Sequence, residues 1–522
     1  MLRRLVASRT AWIVGIGAVG VLARLIALRT ANDLFIDEIT YTNIATNIAH
    51  GHGVTLYGQP FELHPPAGFG LLALVILVIG LHGGTEAVIL SLRNVDVVLG
   101  AATCVLTYLL VERAANRWVA VIAALLVAID PLVITYDSRV MLEGPAQLAT
   151  VTAFLMLAVA VHAPVASSSR LRWLFAAGMA SALVFCTKDT FGLVLGLTLA
   201  ILLLTGWFVS RREALFVLGV GLIGYGISVV TMGLSYGFGV WWRDQIGGAS
   251  RLVGTSQITG FNSPQVHVSI VSRFLADLPT FAVSYLILGF GIVAALGLLI
   301  RLKPWKPSPT PRETWSLVTV LVAIWTVSAA AYLVYATLIG TIEEQMYYIL
   351  LLPSALSLCL WFASRPEPRS HQLHRSRPRQ RHRSRPRQWQ RIGVALVTLA
   401  LLFDAVVWVS VHSHQDDEYR QMLAWEAVHV PPTAVVSATE DLSQFLLRRG
   451  IIGQWNTISE LKSHHVDFVV VNLSLVDQGY GLADTSFERT LQREGHLVFE
   501  ANGATDISLR IYDVRSITGS PS

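Results

Sequence analysis

FIDEITYTNIATNIAHGHGVTLYGQPFELHPP, residues 35–66, follows the first apolar segment of the chain and opens with the adjacent acids Asp37-Glu38. From Tyr41 onward the apolar residues Tyr41, Ile44, Ala45 and Ile48 recur at i, i+3, i+4 and i+7, which predicts a short amphipathic helix. Thr40, Asn43 and Asn47 fall on its other face, and Gly51-His52-Gly53 ends it before a polar stretch reaches His64-Pro65-Pro66. Carboxylates held beside a bilayer, on a helix lying along its surface, are expensive and usually have a task. The plainer alternative for Asp37-Glu38 is a solvated helix N-terminus in an ordinary loop.

The setting of this stretch is a membrane protein. Of 522 residues 53% are hydrophobic and only 14% charged, and the mean hydropathy is +0.56. These values exclude an ordinary soluble enzyme. Cys104, Cys186 and Cys359 all lie inside apolar runs, so neither a disulfide framework nor a Cys/His metal spacing is expected. The net charge of +5 comes largely from the basic run between Arg365 and Arg391. That run has no interleaved aromatics and sits between two apolar spans, so it reads as a cytoplasmic loop facing lipid headgroups rather than a nucleic-acid site. The basic start (MLRRLVASRT) and the apolar run to Leu28 lack a small-residue cleavage site. An uncleaved first span with its basic end inside is the expectation.

Apolar runs able to cross a bilayer occur near residues 10–28, 88–112, 118–136, 144–163, 172–187, 190–209, 213–236, 276–300, 315–336, 346–364 and 392–411. The run from Ala67 to Gly80 is too short for a full span and reads as interfacial or re-entrant. With it left out, the clusters Arg113/Arg117, Arg170/Arg172, Arg211/Arg212, Arg301/Lys303/Lys306/Arg312 and 365–391 all fall on the side of Arg3/Arg4/Arg9. That is an unbroken positive-inside pattern. Eleven spans therefore form a helical membrane domain over 1–411, in the cell membrane, with the N-terminus cytoplasmic and 29–87 as the first outer loop. After His412 the chain changes character. Short alternating runs at 434–438, 468–471, 496–499 and 508–512 read as strands, and 441–449 and 485–494 read as helices. Residues 412–522 are thus expected to form a small α/β domain outside the membrane.

On the outer face collect the otherwise rare acids Asp37, Glu38, Glu62, Asp137, Glu143, Glu343 and Glu344, and the isolated cations Arg93, Arg139 and Lys188. Lys188 stands at a tight turn between two apolar runs. Snorkelling is the plain reading of such a lysine, and phosphate binding is the functional one.

The order Asp37-Glu38, His64-Pro65-Pro66, Arg93, Ser138-Arg139…Glu143, Thr187-Lys188 resembles the GT-C superfamily of membrane glycosyltransferases. It is most similar to the branch with protein O-mannosyltransferases and aminoarabinose transferases, which use polyprenyl-phosphate sugars. The resemblance covers roughly residues 10–360 and departs in three places. His64 stands where the family often has Lys, and Glu143 where Asp is usual. The late outer loop reads Glu343-Glu344-Gln345-Met346-Tyr347-Tyr348, where the family is often basic. The resemblance implies transfer of a monosaccharide from a polyprenyl-phosphate donor to a hydroxyl on a lipid, glycan or protein.

The chemistry makes matching demands. A leaving phosphate needs cations more than a general acid, and His64, Arg93, Lys188 and Arg139 are the candidates. The acceptor hydroxyl needs a base. Asp37 is the choice, with Glu38 and Glu143 holding the acceptor, a metal ion or the base. One displacement on such a donor inverts the anomeric centre. No cofactor is required, although paired acids on separate loops offer a divalent cation a weak site. A transporter or flippase of lipid-linked sugars would also have many spans, but should show inverted repeats and helices broken at matching places, and neither is found. A membrane anchor for an external binding domain would need far fewer spans.

Overall fold

In a computed structural model the described residues are 8–61, 63–165, 167–255, 269–306, 313–363, 385–447, 452–478, 483–503 and 508–519. The core of the basic run expected to face lipid headgroups, 364–384, lies outside them, as does Glu62. In lipid an apolar segment can satisfy its backbone only within itself, and the apolar runs accordingly become helices. Seven are long and apolar enough to cross a membrane: Thr85–Glu112, Glu143–His162, Arg211–Tyr236, Ile270–Leu302, Trp315–Leu338, Gln345–Ala363 and Ala395–His429.

An eighth span is bent. The run expected to be continuous over 118–136 breaks into Arg117–Ile129 and Pro131–Asp137, inclined by 61°. Asp130 causes the break together with its neighbour. Its side chain accepts a 3.1 Å hydrogen bond from the Val133 amide and caps the second helix, while Pro131 at the first helical position has no N–H to continue the first. Three further helices counted in the sequence reading, Arg9–Leu25, Ser168–Phe185 and Asp189–Thr205, have only 17 or 18 residues. By length and composition the described residues therefore contain seven spans, or eight with the bent pair. Ala67–Ile79 is a 13-residue helix ended by Gly80 at φ 67°. At 1.5 Å per residue it reaches about 20 Å, well short of a bilayer core.

The 418–519 region places helices around a five-stranded mixed sheet. The strands are, in chain order, β3 (Val436–Ala438), β4 (Ile452–Gly453), β5 (Phe468–Asn472), β6 (His496–Asn502) and β7 (Ser508–Asp513), following the short hairpin β1 (Thr55–Leu56) and β2 (Gln59–Pro60). The sheet order is β4-β3-β5-β7-β6, with β3 parallel to both β4 and β5 and the β5–β7 and β6–β7 pairs antiparallel. Central β5 is buried along its whole length, which explains its uninterrupted Phe-Val-Val-Val. The two-residue β4 carries no alternation and was invisible to pattern. Helix Asp441–Leu447 takes its cap from Glu440, whose carboxylate accepts the Ser443 amide at 2.8 Å.

This sheet and the first outer segment share one buried cluster, in which Leu34, Tyr41 and Ile44 join Leu442, Phe468 and Ile511. The join is also polar: the Asp416 amide donates to the Thr30 carbonyl at 2.7 Å, and the Tyr419 amide to Asp33 Oδ2 at 3.0 Å. Helix Ile36–Ala49 therefore lies between two layers. Glu38, Ile39 and Thr42 are buried along with Tyr41, Ile44 and Ala45, so it is not a surface helix with one wet face.

Candidate active site

The helix Ile36–Ala49 starts from an extended Phe35 (φ −120°, ψ 148°). Successive helical residues point about 100° apart, so the two adjacent acids go to different places.

Glu38 turns inward to Arg93. Arg93 Nε donates to Glu38 Oε1 at 2.9 Å and one terminal nitrogen to Oε2 at 2.7 Å. The remaining guanidinium hydrogens go to the carbonyls of Leu28 (3.0 Å), Asn32 (2.8 Å) and Asp33 (3.0 Å). Glu38 also accepts the amides of Val140 (2.8 Å) and Phe35 (3.2 Å). Both side chains are fully buried. Arg93 was expected to hold phosphate, but all five of its N–H donors are taken by protein oxygens, and no charge is left over. The pair locks the start of Ile36–Ala49 to Thr85–Glu112 and to the 138–142 turn.

Asp37 and Tyr41, one helical turn apart, face the other cluster. The Asp37 carboxylate bonds the Tyr41 side chain and has Lys188, Glu143 and Glu343 as its charged neighbours. Burial pushes its pKa up to about 6, Lys188 pulls it down, and Glu143 and Glu343 push it further up. Lys188 Nζ lies 3.0 Å from Glu143 Oε1 and 3.4 Å from the Tyr41 hydroxyl, with 5.7 Å to the Tyr41 ring centre. Lys188 is placed by the turn that precedes Asp189–Thr205, where it has extended backbone angles. The Ala67 amide donates to the Cys186 carbonyl at 2.7 Å, tying that turn to the start of Ala67–Ile79. Glu143 opens Glu143–His162, and among the described residues its buried Oε2 has no hydrogen-bond partner.

The other two expected cations differ. Arg139 is half-buried with its guanidinium 5.1 Å from the Phe35 ring centre. Among the described residues its side chain makes no hydrogen bond or ion pair. His64 Nδ1 lies 3.5 Å from Asp189 Oδ2. Burial holds the imidazole below its usual pKa, Lys188 pushes the same way, and Asp189 opposes both. His64 is thus harder to charge than a free imidazole, and its nearest acid is Asp189.

Sequence reasoning missed Tyr41 and Asp189, and it listed Glu343 and Asp137 among the rare acids without assigning them partners. Tyr41 counted only as an apolar position, although its i+4 spacing from Asp37 was a usable signal. Asp189 and Glu343 are brought in by tertiary folding. Asp137 is engaged by Arg24, whose Nε donates to Asp137 Oδ2 at 2.9 Å while the Tyr348 hydroxyl donates to Oδ1 at 2.6 Å. An arginine inside an apolar span demands such a counter-charge. Among the described residues no group of three or more His, Cys, Asp or Glu side chains is arranged to hold a metal ion.

Residues 16–224 match the family described as dolichyl-phosphate-mannose-protein mannosyltransferase. Over 97% of this chain and 74% of the other, the fold is similar to an oligosaccharyltransferase, AglB of Archaeoglobus fulgidus, solved with an inhibitory peptide and a dolichol-phosphate, at 11% identity and TM-score 0.56. It is also similar to ArnT of Cupriavidus metallidurans bound to undecaprenyl phosphate, with 14% identity, coverage of 99% and 100% and TM-score 0.57. The archaeal oligosaccharyltransferase has also been solved in complex with Zn and sulfate. A search of curated proteins finds no match. The chain therefore has the fold of a multi-pass membrane protein similar to these solved structures, and its residues 16–224 are similar to the mannosyltransferase family.

Proposed function

We propose that the chain transfers a monosaccharide from a polyprenyl-phosphate donor to a hydroxyl acceptor at the outer membrane face, with inversion. The observation that carries this reading is Asp37, with a pKa raised to about 6, beside the Lys188–Glu143 pair. A carboxylate so tuned is mainly ionised at neutral pH yet basic enough to take a hydroxyl proton as bonding begins. The acceptor oxygen bonds to the anomeric carbon, the bond from that carbon to the phosphate oxygen breaks, and the proton passes to Asp37. Lys188 and Arg139 neutralise the charge that grows on the departing phosphate. Tyr41 and Glu143 position Asp37 and Lys188, and the Glu38–Arg93 pair fixes the helix that carries the base. His64 lines the donor side beside Asp189.

The proposed topology has eleven spans over 1–411, counting the bent pair as one and the three shorter apolar helices as three. The N-terminus and the 365–391 run are then cytoplasmic, and the 412–522 domain lies outside. The unbroken basic bias supports it. A cysteine introduced at Ser413 should react with an impermeant reagent added from outside, and labelling from the inside alone would reverse the arrangement. The activity test is incubation of purified protein with polyprenyl-phosphate sugars. Release of free polyprenyl phosphate with appearance of glycosylated acceptor is expected, lost in Asp37→Asn. Release at the wild-type rate by that variant would remove Asp37 as the base.

A further inference from the structure

Beyond the reacting centre, the first outer segment and the C-terminal sheet enclose a cleft of about 620 Å³. Asn43 and Asn47 line one wall, Tyr57 the hairpin side, and Gln444 and Phe445 the wall from the C-terminal region. Among the described residues no lining residue is charged. Tyr57 stacks on Phe445, with ring centres 4.8 Å apart and planes inclined by 29°, yet remains 57% exposed.

The backbone at Tyr57 is unusual. It sits at φ 53°, and the following Gly58 at φ 76°, in the two-residue turn of the hairpin that pairs Thr55 with Pro60. Such a turn needs positive φ at both positions and is normally built from Asn and Gly. A bulky aromatic there is disfavoured, and residues held in that way tend to have a task. Here the conformation carries a large ring to the mouth of the cleft, over Phe445. The amides are held as well. Asn47 Nδ2 donates to the Thr55 carbonyl at 2.8 Å, and Asn43 Oδ1 accepts from the Thr85 hydroxyl at 3.4 Å.

We propose that this cleft binds a neutral saccharide, the part of a glycan acceptor remote from the hydroxyl that reacts; the assignment rests on the function proposed above. A sugar ring offers an apolar C–H face to an aromatic ring and a rim of hydroxyls to planar amides, which both donate and accept. The volume lies within the usual range of ligand sites. The described lining, amide and aromatic, suits a neutral ligand better than a phosphate or an acidic partner. An extended peptide would want a free strand edge, and the edge strand here, β4, has two residues. Position fits too: Asn43 and Asn47 lie six and ten residues beyond Asp37 on one helix, about 9 and 15 Å along its axis at 1.5 Å per residue. A glycan seated in the cleft extends along the helix that carries the base.

The test uses the full chain in lipid nanodiscs free of glycoside detergent, with neutral mannose, arabinose and glucose tetrasaccharides as probes in saturation-transfer NMR. At least one tetrasaccharide should bind, and Tyr57→Gly should weaken it by about tenfold or more, a factor readable as a shift in Kd. That variant removes the ring while relaxing the positive φ, so its melting temperature should not fall. Tyr57→Phe should retain affinity, and Gln444→Ala should lose part of it. No binding by any tetrasaccharide overturns the proposal. So does binding indifferent to Tyr57→Gly, or displacement of the sugar by an unglycosylated peptide. Asp37→Asn separates the two readings, because it should bind the saccharide like wild type while transferring nothing. Tyr57-dependent binding without transfer from any donor would sink only the transfer reading, and transfer without Tyr57-dependent binding only the cleft.

Discussion

Two acid–base clusters flank the same helix and differ in what they leave over. Around Glu38–Arg93 every guanidinium hydrogen has a protein acceptor, and the carboxylate takes two backbone amides besides. Around Asp37, Lys188 and Glu143 the balance is incomplete. Among the described residues one Glu143 oxygen is buried without a partner, two carboxylates, Asp37 and Glu143, share one lysine, and Arg139 has its guanidinium on the Phe35 ring. The first arrangement has nothing left with which to bind a substrate. The second retains charge and hydrogen-bonding capacity, which a ligand can complete. Adjacent residues in the chain, Asp37 and Glu38, thus end in an incompletely paired cluster and a fully paired one.

The contrast predicts different failures. The largest effect should come from Arg93→Ala, which strands a buried carboxylate and should cost about 3–5 kcal/mol, seen as poor yield of folded protein and a lower melting temperature. Stable, well-folded protein from that variant would erase the distinction between the clusters. Asp37→Asn should do the reverse, with normal folding and a rate about 10²-fold lower or worse. Arg139→Ala comes next. Half-buried and unpaired, it should change stability by no more than about 0.5 kcal/mol, while raising the KM for the polyprenyl-phosphate donor by about tenfold, as expected for a lost charge-assisted contact worth about 1.5 kcal/mol. An unchanged donor KM would leave Lys188 as the sole phosphate cation. The smallest effect is in pH. Asp37 acts as a base only when ionised, so kcat should rise as pH increases through about 6 and then level. A fall between about pH 6.5 and 8 would mean that His64 works as a cation despite its lowered pKa.

The apolar runs were legible because hydropathy is a local property. Their count was less so, since Pro131 bends one run and three others are short. The candidate site was legible as an inventory of rare charged residues at the ends of apolar runs, and Asp37, Glu143 and Lys188 do meet. What pattern could not supply is who pairs with whom. Arg93 and Arg139 look alike in sequence, and only tertiary contacts decide that one has five acceptors and the other none. The same holds for His64, whose titration is set by burial and by its nearness to Lys188 and Asp189. Strand β4 was missed for the opposite reason, being too short for any period to register.

The seam between the first outer loop and the C-terminal sheet has a consequence for biogenesis. Synthesis proceeds from the N-terminus, so helix Ile36–Ala49 emerges hundreds of residues before the Leu442, Phe468 and Ile511 side chains that cover it. Until the Asp416 amide reaches the Thr30 carbonyl, the helix that bears Asp37 lacks its second layer. The last fifth of the chain thus completes the layer over this helix, and a polypeptide still being made carries it half covered.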